Sequence, residues 1–189
     1  MSGALKNLMQ GLYYPAVTGT GLVLVLFRVT MHESPQSAFQ DYALIYGVLL
    51  VLWFSLSFVS IGIYPEEEYS LFEFVLDLLE VGLTFGMFYF LGLFSTDVIH
   101  VPNLRGMYGL IALATVVQAL WRLFWHDSFG LRLWYLRVVL FGVGVAGWAI
   151  LHRYPVFNFL AVIVNICLLF GYYRIIAKRS VQKINFEFK

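Results

Sequence analysis

Apolar residues fill the chain in six blocks separated by short polar breaks: Leu12–Met31, Tyr42–Tyr64, Leu71–Phe94, Met107–Trp125, Leu133–Leu151 and Val156–Ile176. Each block is close to the ~20 residues that a helix needs to cross ~30 Å of hydrocarbon. The blocks are continuous rather than alternating, which argues against the strands of a membrane barrel. The breaks are too short to hold a soluble domain. The pattern therefore predicts an all-α integral membrane protein, one bundle of six transmembrane helices. Ahead of the first block, Leu5, Leu8, Met9 and Leu12 recur at helical spacing with Lys6, Asn7 and Gln10 opposite. This segment reads either as a short interfacial helix or as an extension of the first span. The first block lacks a small-residue cleavage site before Arg28, so it reads as part of the mature fold and not as a signal peptide.

The blocks also repeat. Phe27-Arg28-Val29-Thr30-Met31-His32-Glu33-Ser34 closes the first, and Trp121-Arg122-Leu123-Phe124-Trp125-His126-Asp127-Ser128 closes the fourth. The second and fifth end in Tyr64-Pro65 and Tyr154-Pro155. The third and sixth align without a gap: Phe72-Glu73-Phe74 with Phe157-Asn158-Phe159, Glu80 with Asn165, and Phe85-Gly86 with Phe170-Gly171. A three-span unit written twice must enter the membrane the second time upside down, an arrangement common in transporters. The expected organisation is two inverted three-helix repeats, residues 1–95 and 96–177, followed by a basic cytoplasmic tail at 178–189.

Composition agrees with the membrane reading and adds a direction. Of the 189 residues, 61% are hydrophobic and 12% charged, against about 25% charged in soluble domains. Lys6, Arg132, Arg174, Lys178, Arg179, Lys183 and Lys189 fall on the side of the termini, and only Arg105 and Arg153 on the other. By the positive-inside rule both termini are cytoplasmic, in a multi-pass protein of the plasma or cell inner membrane. A net charge of +1 offers nothing to nucleic acid. The basic tail suits anionic lipid, and with the extended ending Ile184-Asn185-Phe186-Glu187-Phe188 it also suits a partner protein.

Candidate chemistry lies in the third block. Glu73, Asp77 and Glu80 are spaced i, i+4, i+7 and share one helix face, which Thr84 continues. At ~1.5 Å per residue Glu80 sits near mid-membrane, where a carboxylate must be paired, protonated or hydrated. Gly82 and Gly86 mark the opposite face for close packing, which predicts a central third helix. Arg122 and Arg137 lie at the depth of Glu73 and Asp77. Arg28, the repeat mate of Arg122, completes the set of charge-pair partners. Thr115, Gln118 and Arg122 form a second polar stripe, and Asn158, Asn165 and Tyr172 a third. Glu80 and Asn165 should meet at mid-depth as an acid–amide pair. Glu73, Asp77, Glu80, Gln118, Asn158 and Asn165 are thus the candidate path for a proton or another small cation. The alternative is a salt-bridge network that fixes helix register.

No cofactor is expected. His32, His126, His100 and His152 stand at span ends, where they cannot face one another across a haem, and no close His/Cys/acid spacing suggests zinc. Arg-x3-His-acid-Ser reads instead as helix termination, with Ser capping the next segment. No Ser/His/Asp set, metalloprotease motif or phosphate loop occurs, so an enzyme is disfavoured. The leading expectation is a small channel or carrier, and the second a membrane sensor or subunit acting with a partner protein. Glycine-rich faces and small size also favour a homo-oligomer.

Overall fold

The computed structural model describes residues 2–63, 69–95, 102–121 and 128–187. Among the described residues the secondary structure is entirely helical: α1 (Ser2–Leu8), α2 (Tyr14–Thr30), α3 (Pro35–Gln40), α4 (Tyr42–Ile63), α5 (Leu71–Phe90), α6 (Leu104–Trp121), α7 (Ser128–Ala149) and α8 (Pro155–Glu187). Three stretches are long and apolar enough to cross a bilayer: Gly3–Thr30, Tyr42–Val59 and Pro155–Lys178. The apolar stretches Leu104–Leu120 and Tyr135–Ala149 are shorter, and α5 has the length but carries three carboxylates.

The helix ends follow from local chemistry. Between α1 and α2, Met9–Tyr13 form a π turn, and the N–H of Tyr14 bonds the Met9 carbonyl. Pro15 lacks an N–H and would crowd a carbonyl one turn back, so a widened turn ahead of it relieves the clash without ending the helix. The N-terminal segment is therefore an extension of the first span. Lys6 is buried rather than facing an interface, because α1 packs on α5. Ser34 caps α3, accepting from the N–H of Ser37, with Pro35 at the first helical position, where its missing N–H costs nothing. Ser70 and Glu73 form a reciprocal capping box at the start of α5, and Asn103 accepts from the N–H of Gly106 at the start of α6. At the end of α5, Gly92 adopts φ 71°. The N–H groups of Gly92 and Leu93 bond the carbonyls of Tyr89 and Phe88, the closure that a left-handed glycine allows.

Helix directions follow from side-chain contacts. Tyr46, early in α4, meets Tyr108, early in α6, and Asn158, early in α8. Ser57, late in α4, and Gln118, late in α6, both meet Glu80 of α5. Thus α4, α6 and α8 run one way and α5 the other. Tyr14, at the start of α2, meets Asp77, early in α5, and Gly147, late in α7, meets Tyr108. We call the end that holds the starts of α2 and α5 the near end, and the other the far end.

The principal packings are α6 with α7, α5 with α6, α2 with α4, and α4 with α8. In the α6–α7 pair, a Cβ at Gly144 would lie 2.8 Å from the Ala112 backbone, and one at Gly147 would enter the Tyr108 ring. Gly144 and Gly147 of α7 are a packing surface there. Gly86 takes Leu110 of α6 in the same way, with 2.7 Å to a built Cβ, but nothing lies near Gly82. Leu71, Phe72, Val75, Leu79 and Gly82 form an exposed stripe. The expectation of a central third helix is corrected accordingly: α5 turns its acids inward and its apolar side outward, so it belongs to the rim.

Polarity is distributed inside out. Arg28, Glu73, Asp77, Glu80, Asn158 and Asn165 are buried, whereas Leu22, Val23, Val156, Phe159 and Phe170 are exposed. Apolar surface of that extent is stable against hydrocarbon and not against water. Helix α8 continues to Glu187; the ending read as extended is helical there, and its 33 residues reach about 50 Å at ~1.5 Å each.

Candidate functional site

A cavity lies among α4, α5, α6, α7 and α8. Its polar lining is Tyr46, Ser57, Glu80, Thr84, Thr115, Gln118 and Asn165, set among Leu49, Trp53, Phe54, Met87, Ile111 and Leu140. From Tyr46 to Ser57 it follows α4 for about 16 Å at ~1.5 Å per residue. Water has about 50 Å³ of it to occupy. One water needs ~10–15 Å³ on that measure, so the space suits about three to five. The buried indole N–H of Trp53, a lining residue, finds no partner among the described residues, and a buried donor calls for one.

Glu80 stands at the near end of this cavity and is 7% exposed. Its Oε1 accepts from Ser57 Oγ at 3.2 Å and from Gln118 Nε2 at 2.6 Å. Arg137 donates to the Gln118 carbonyl at 2.5 Å. The charge of Arg137 acts on Glu80. Cation and acid, expected in direct or water-bridged contact, are thus joined through one glutamine. Thr84 and Thr115 spend their protons on carbonyls of their own helices, Glu80 O and Ala112 O, so what they turn to the cavity is oxygen. Asn165 lines the cavity with Glu80, as the repeat alignment places it, while its amide donates to Ala161 O within α8 at 2.8 Å.

The other two acids of α5 do different work. Asp77 accepts from Tyr14 at 3.3 Å and from Tyr69 at 2.5 Å. Burial, and then the nearby Asp77 carboxylate, raise the Tyr69 phenol far above its usual value, so Tyr69 is a neutral donor. Glu73 accepts from the N–H of Ser70 as half of the capping box. The i, i+4, i+7 stripe therefore divides by depth into a cap, a phenol acceptor and a cavity acid.

Arg28 is placed differently from the sequence expectation. It ends α2 at the far end, away from the start of α5 and its acids, and pairs with Asp41 at 2.6 Å. The same Oδ2 meets His32 Nε2 at 3.0 Å. Asp41 Oδ1 accepts from the N–H of Ala43 and so caps α4. Burial works against the Asp41 charge, but the hydrogen bond and charge of Arg28, with His32 and the Ala43 N–H, hold the carboxyl below its ordinary range. Asp41 escaped the sequence reading, although an acid directly before an apolar run is an N-cap signal. Arg122 and His126 of the second motif copy lie outside the described residues, as do Tyr64-Pro65, Glu66, Glu67, Glu68 and His100.

At the far end of the cavity Tyr46 and Tyr108 share a hydrogen bond of 2.5 Å. Tyr108 Oη lies 3.1 Å from Asn158 Oδ1 and Tyr46 Oη 3.3 Å from the Asn158 carbonyl. With one proton on each phenol, one tyrosine donates to the other, which donates to Asn158. Asn158 Nδ2 donates in turn to the His152 carbonyl at 3.4 Å. The two tyrosines were hidden in the sequence by their apolar neighbours. No His, Cys, Asp or Glu grouping fit for a metal ion occurs among the described residues. Comparison with known proteins finds no family model, no curated protein and no solved structure that matches this chain.

Proposed function

We propose that the protein is a multi-pass membrane channel or carrier that moves protons or another small cation through the cavity at Glu80. One observation carries this reading: a buried carboxylate at mid-span faces a space sized for a few waters, held by a hydroxyl and an amide. Ionisable side chains at that depth are costly, and they mark ion or proton paths by default. The inside-out polarity and the lengths of α2, α4 and α8 support insertion. Helices α5 to α7 complete six spans in this reading, with both termini cytoplasmic in a plasma or cell inner membrane.

The inverted repeat belongs to the proposal as well. Helices α5 and α8 run in opposite directions, Glu73 and Asn158 stand at opposite ends, and Glu80 and Asn165 share the cavity, as an in-plane two-fold requires. The packing between halves is not symmetric among the described residues: α5 packs on α6 without an equally extensive α8–α2 packing, and α4 on α8 without an equally extensive α7–α5 packing.

The test is flux of protons, sodium and potassium into liposomes holding the purified protein. Glu80→Gln keeps shape and hydrogen bonding but cannot carry charge or release a proton. It should lower flux at least ten-fold with the unfolding temperature preserved. Normal flux in Glu80→Gln would move the site elsewhere. Absence of flux for every tested ion in the parent protein would favour a sensor or partner-bound subunit, with the α8 extension as the docking element.

A further inference from the structure

We infer that Tyr46, Tyr108 and Asn158 form a gate that closes the cavity at its far end and leaves the near end as the side from which Glu80 is served. The inference rests on the reading of the cavity as a conduction path and adds its sidedness. Tyr46 is 2% exposed and Tyr108 0%, and Tyr46 itself lines the cavity. The three residues come from α4, α6 and α8, so their hydrogen bonds tie three helices across the space. Their two hydroxyl protons are spent on one another and on Asn158, and the cluster carries no charge. It therefore blocks a file of water without attracting an ion. The bonds join separate helices and are not part of any helix ladder, so they can break without unwinding a span.

The two ends differ in kind. Beyond Glu80 toward the near end stands Asp77, one turn along α5 and held by Tyr14 and Tyr69, whereas beyond Tyr46 the cluster runs into Asn158 and the His152 carbonyl. A carboxylate can take up and release a proton, and an amide held at both ends cannot.

Two variants and one labelling measurement test the gate. Tyr108→Phe removes the shared hydroxyl, and Asn158→Leu cuts the cluster at its α8 member. Loss of one buried hydrogen bond changes an open-to-closed ratio by about ten-fold, so either folded variant should raise passive proton flux in liposomes by about that factor. Unchanged or lower flux in folded variants would overturn the gate. In a Cys167→Ala background, Thr84→Cys should resist a membrane-impermeant thiol reagent added from the far side and should react once Tyr108→Phe is added. Reaction from the far side in the parent background would overturn the gate even if both flux variants failed to fold. If Tyr108→Phe leaks and Glu80→Gln leaves the leak unchanged, the gate stands and the Glu80 path falls. If Glu80→Gln abolishes parental flux and neither gate variant alters it, the path stands and the gate falls.

Discussion

Among the described residues the near end of the bundle gathers acids of α5 and the far end the neutral Tyr46, Tyr108 and Asn158. Yet the blocks Leu71–Phe94 and Val156–Ile176, which carry Glu73 and Asn158, align without a gap in sequence. Glu73 of α5 corresponds to Asn158 of α8. The first closes a capping box with Ser70; the second receives a phenol and grips a carbonyl. The ion pair of Arg28 with Asp41 also stands at the far end, and it lies in the α2–α4 connection, away from the cavity. The contrast shows that spacing along a helix fixes where a polar group stands, while the partners it meets there fix what it does. An acid beside donors can hold or pass charge, whereas an amide in the equivalent place fastens helices together.

The exception offers the most forceful test of this contrast. Asp41→Asn leaves Arg28, 3% exposed, without a countercharge, and should cost roughly 3–5 kcal/mol in thermal unfolding in detergent. Arg28→Met combined with Asp41→Leu should recover part of that loss. Because the folded Asp41 carboxyl is held below its ordinary value, its contribution is complete above the unfolded pKa of about 3.9 and is lost as pH falls through the folded pKa. Asp41→Asn should therefore flatten the acid side of the stability profile and leave its neutral plateau lower. An unfolding temperature within a degree of the parent would show that the far end needs no charge.

A smaller effect is expected at the near end. Asp77→Leu strips the acceptor from Tyr14 and Tyr69, both buried, at about 1–3 kcal/mol for each orphaned hydroxyl. Adding Tyr14→Phe should relieve its share. If Asp77→Leu proves neutral, Asp77 is not the acceptor that organises this end.

The smallest effects concern the packing that holds the ends in register. Gly147→Ala would drive a methyl into Tyr108 and should cost about 1–3 kcal/mol through overpacking. Gly142→Ala, with open space around it, should be neutral or stabilising by up to about 1 kcal/mol, the ordinary gain of alanine in a helix. Equal behaviour of the two would contradict the α6–α7 contact. Gly147→Ala should also disturb the Tyr46–Tyr108 pair, visible as altered flux where Gly142→Ala shows none.

Much of this was legible in the chain because it is local. The apolar blocks foretold where helices lie, since span length follows from hydrocarbon thickness and continuity of apolar side chains, but α8 runs on to Glu187, well past the block that ends at Ile176. Ser34 announced its cap through its neighbours. The inward face of α5 followed from 3.6-residue periodicity, which placed Glu73, Asp77 and Glu80 together wherever the helix went. The alignment of the third and sixth blocks singled out Glu80 and Asn165, which line one cavity.

Which side chains touch was not legible in the same way. Tyr46 meets residues 62 and 112 positions away, and its phenol looks in sequence like any interfacial aromatic. Gly82 and Gly86 share a motif, yet only Gly86 has a neighbour. Arg28 and Arg137 were both candidate charge-pair partners, and the structure sends one to Asp41 and the other to a glutamine carbonyl. The order of amino acids was enough to set the helices, the Ser34 cap and the shared face of Glu73, Asp77 and Glu80, because those depend on neighbours within a turn or two. Only the packed bundle settles which acid faces the cavity, which caps a helix and which aromatics close the far end, because those depend on how helices distant in sequence lie side by side.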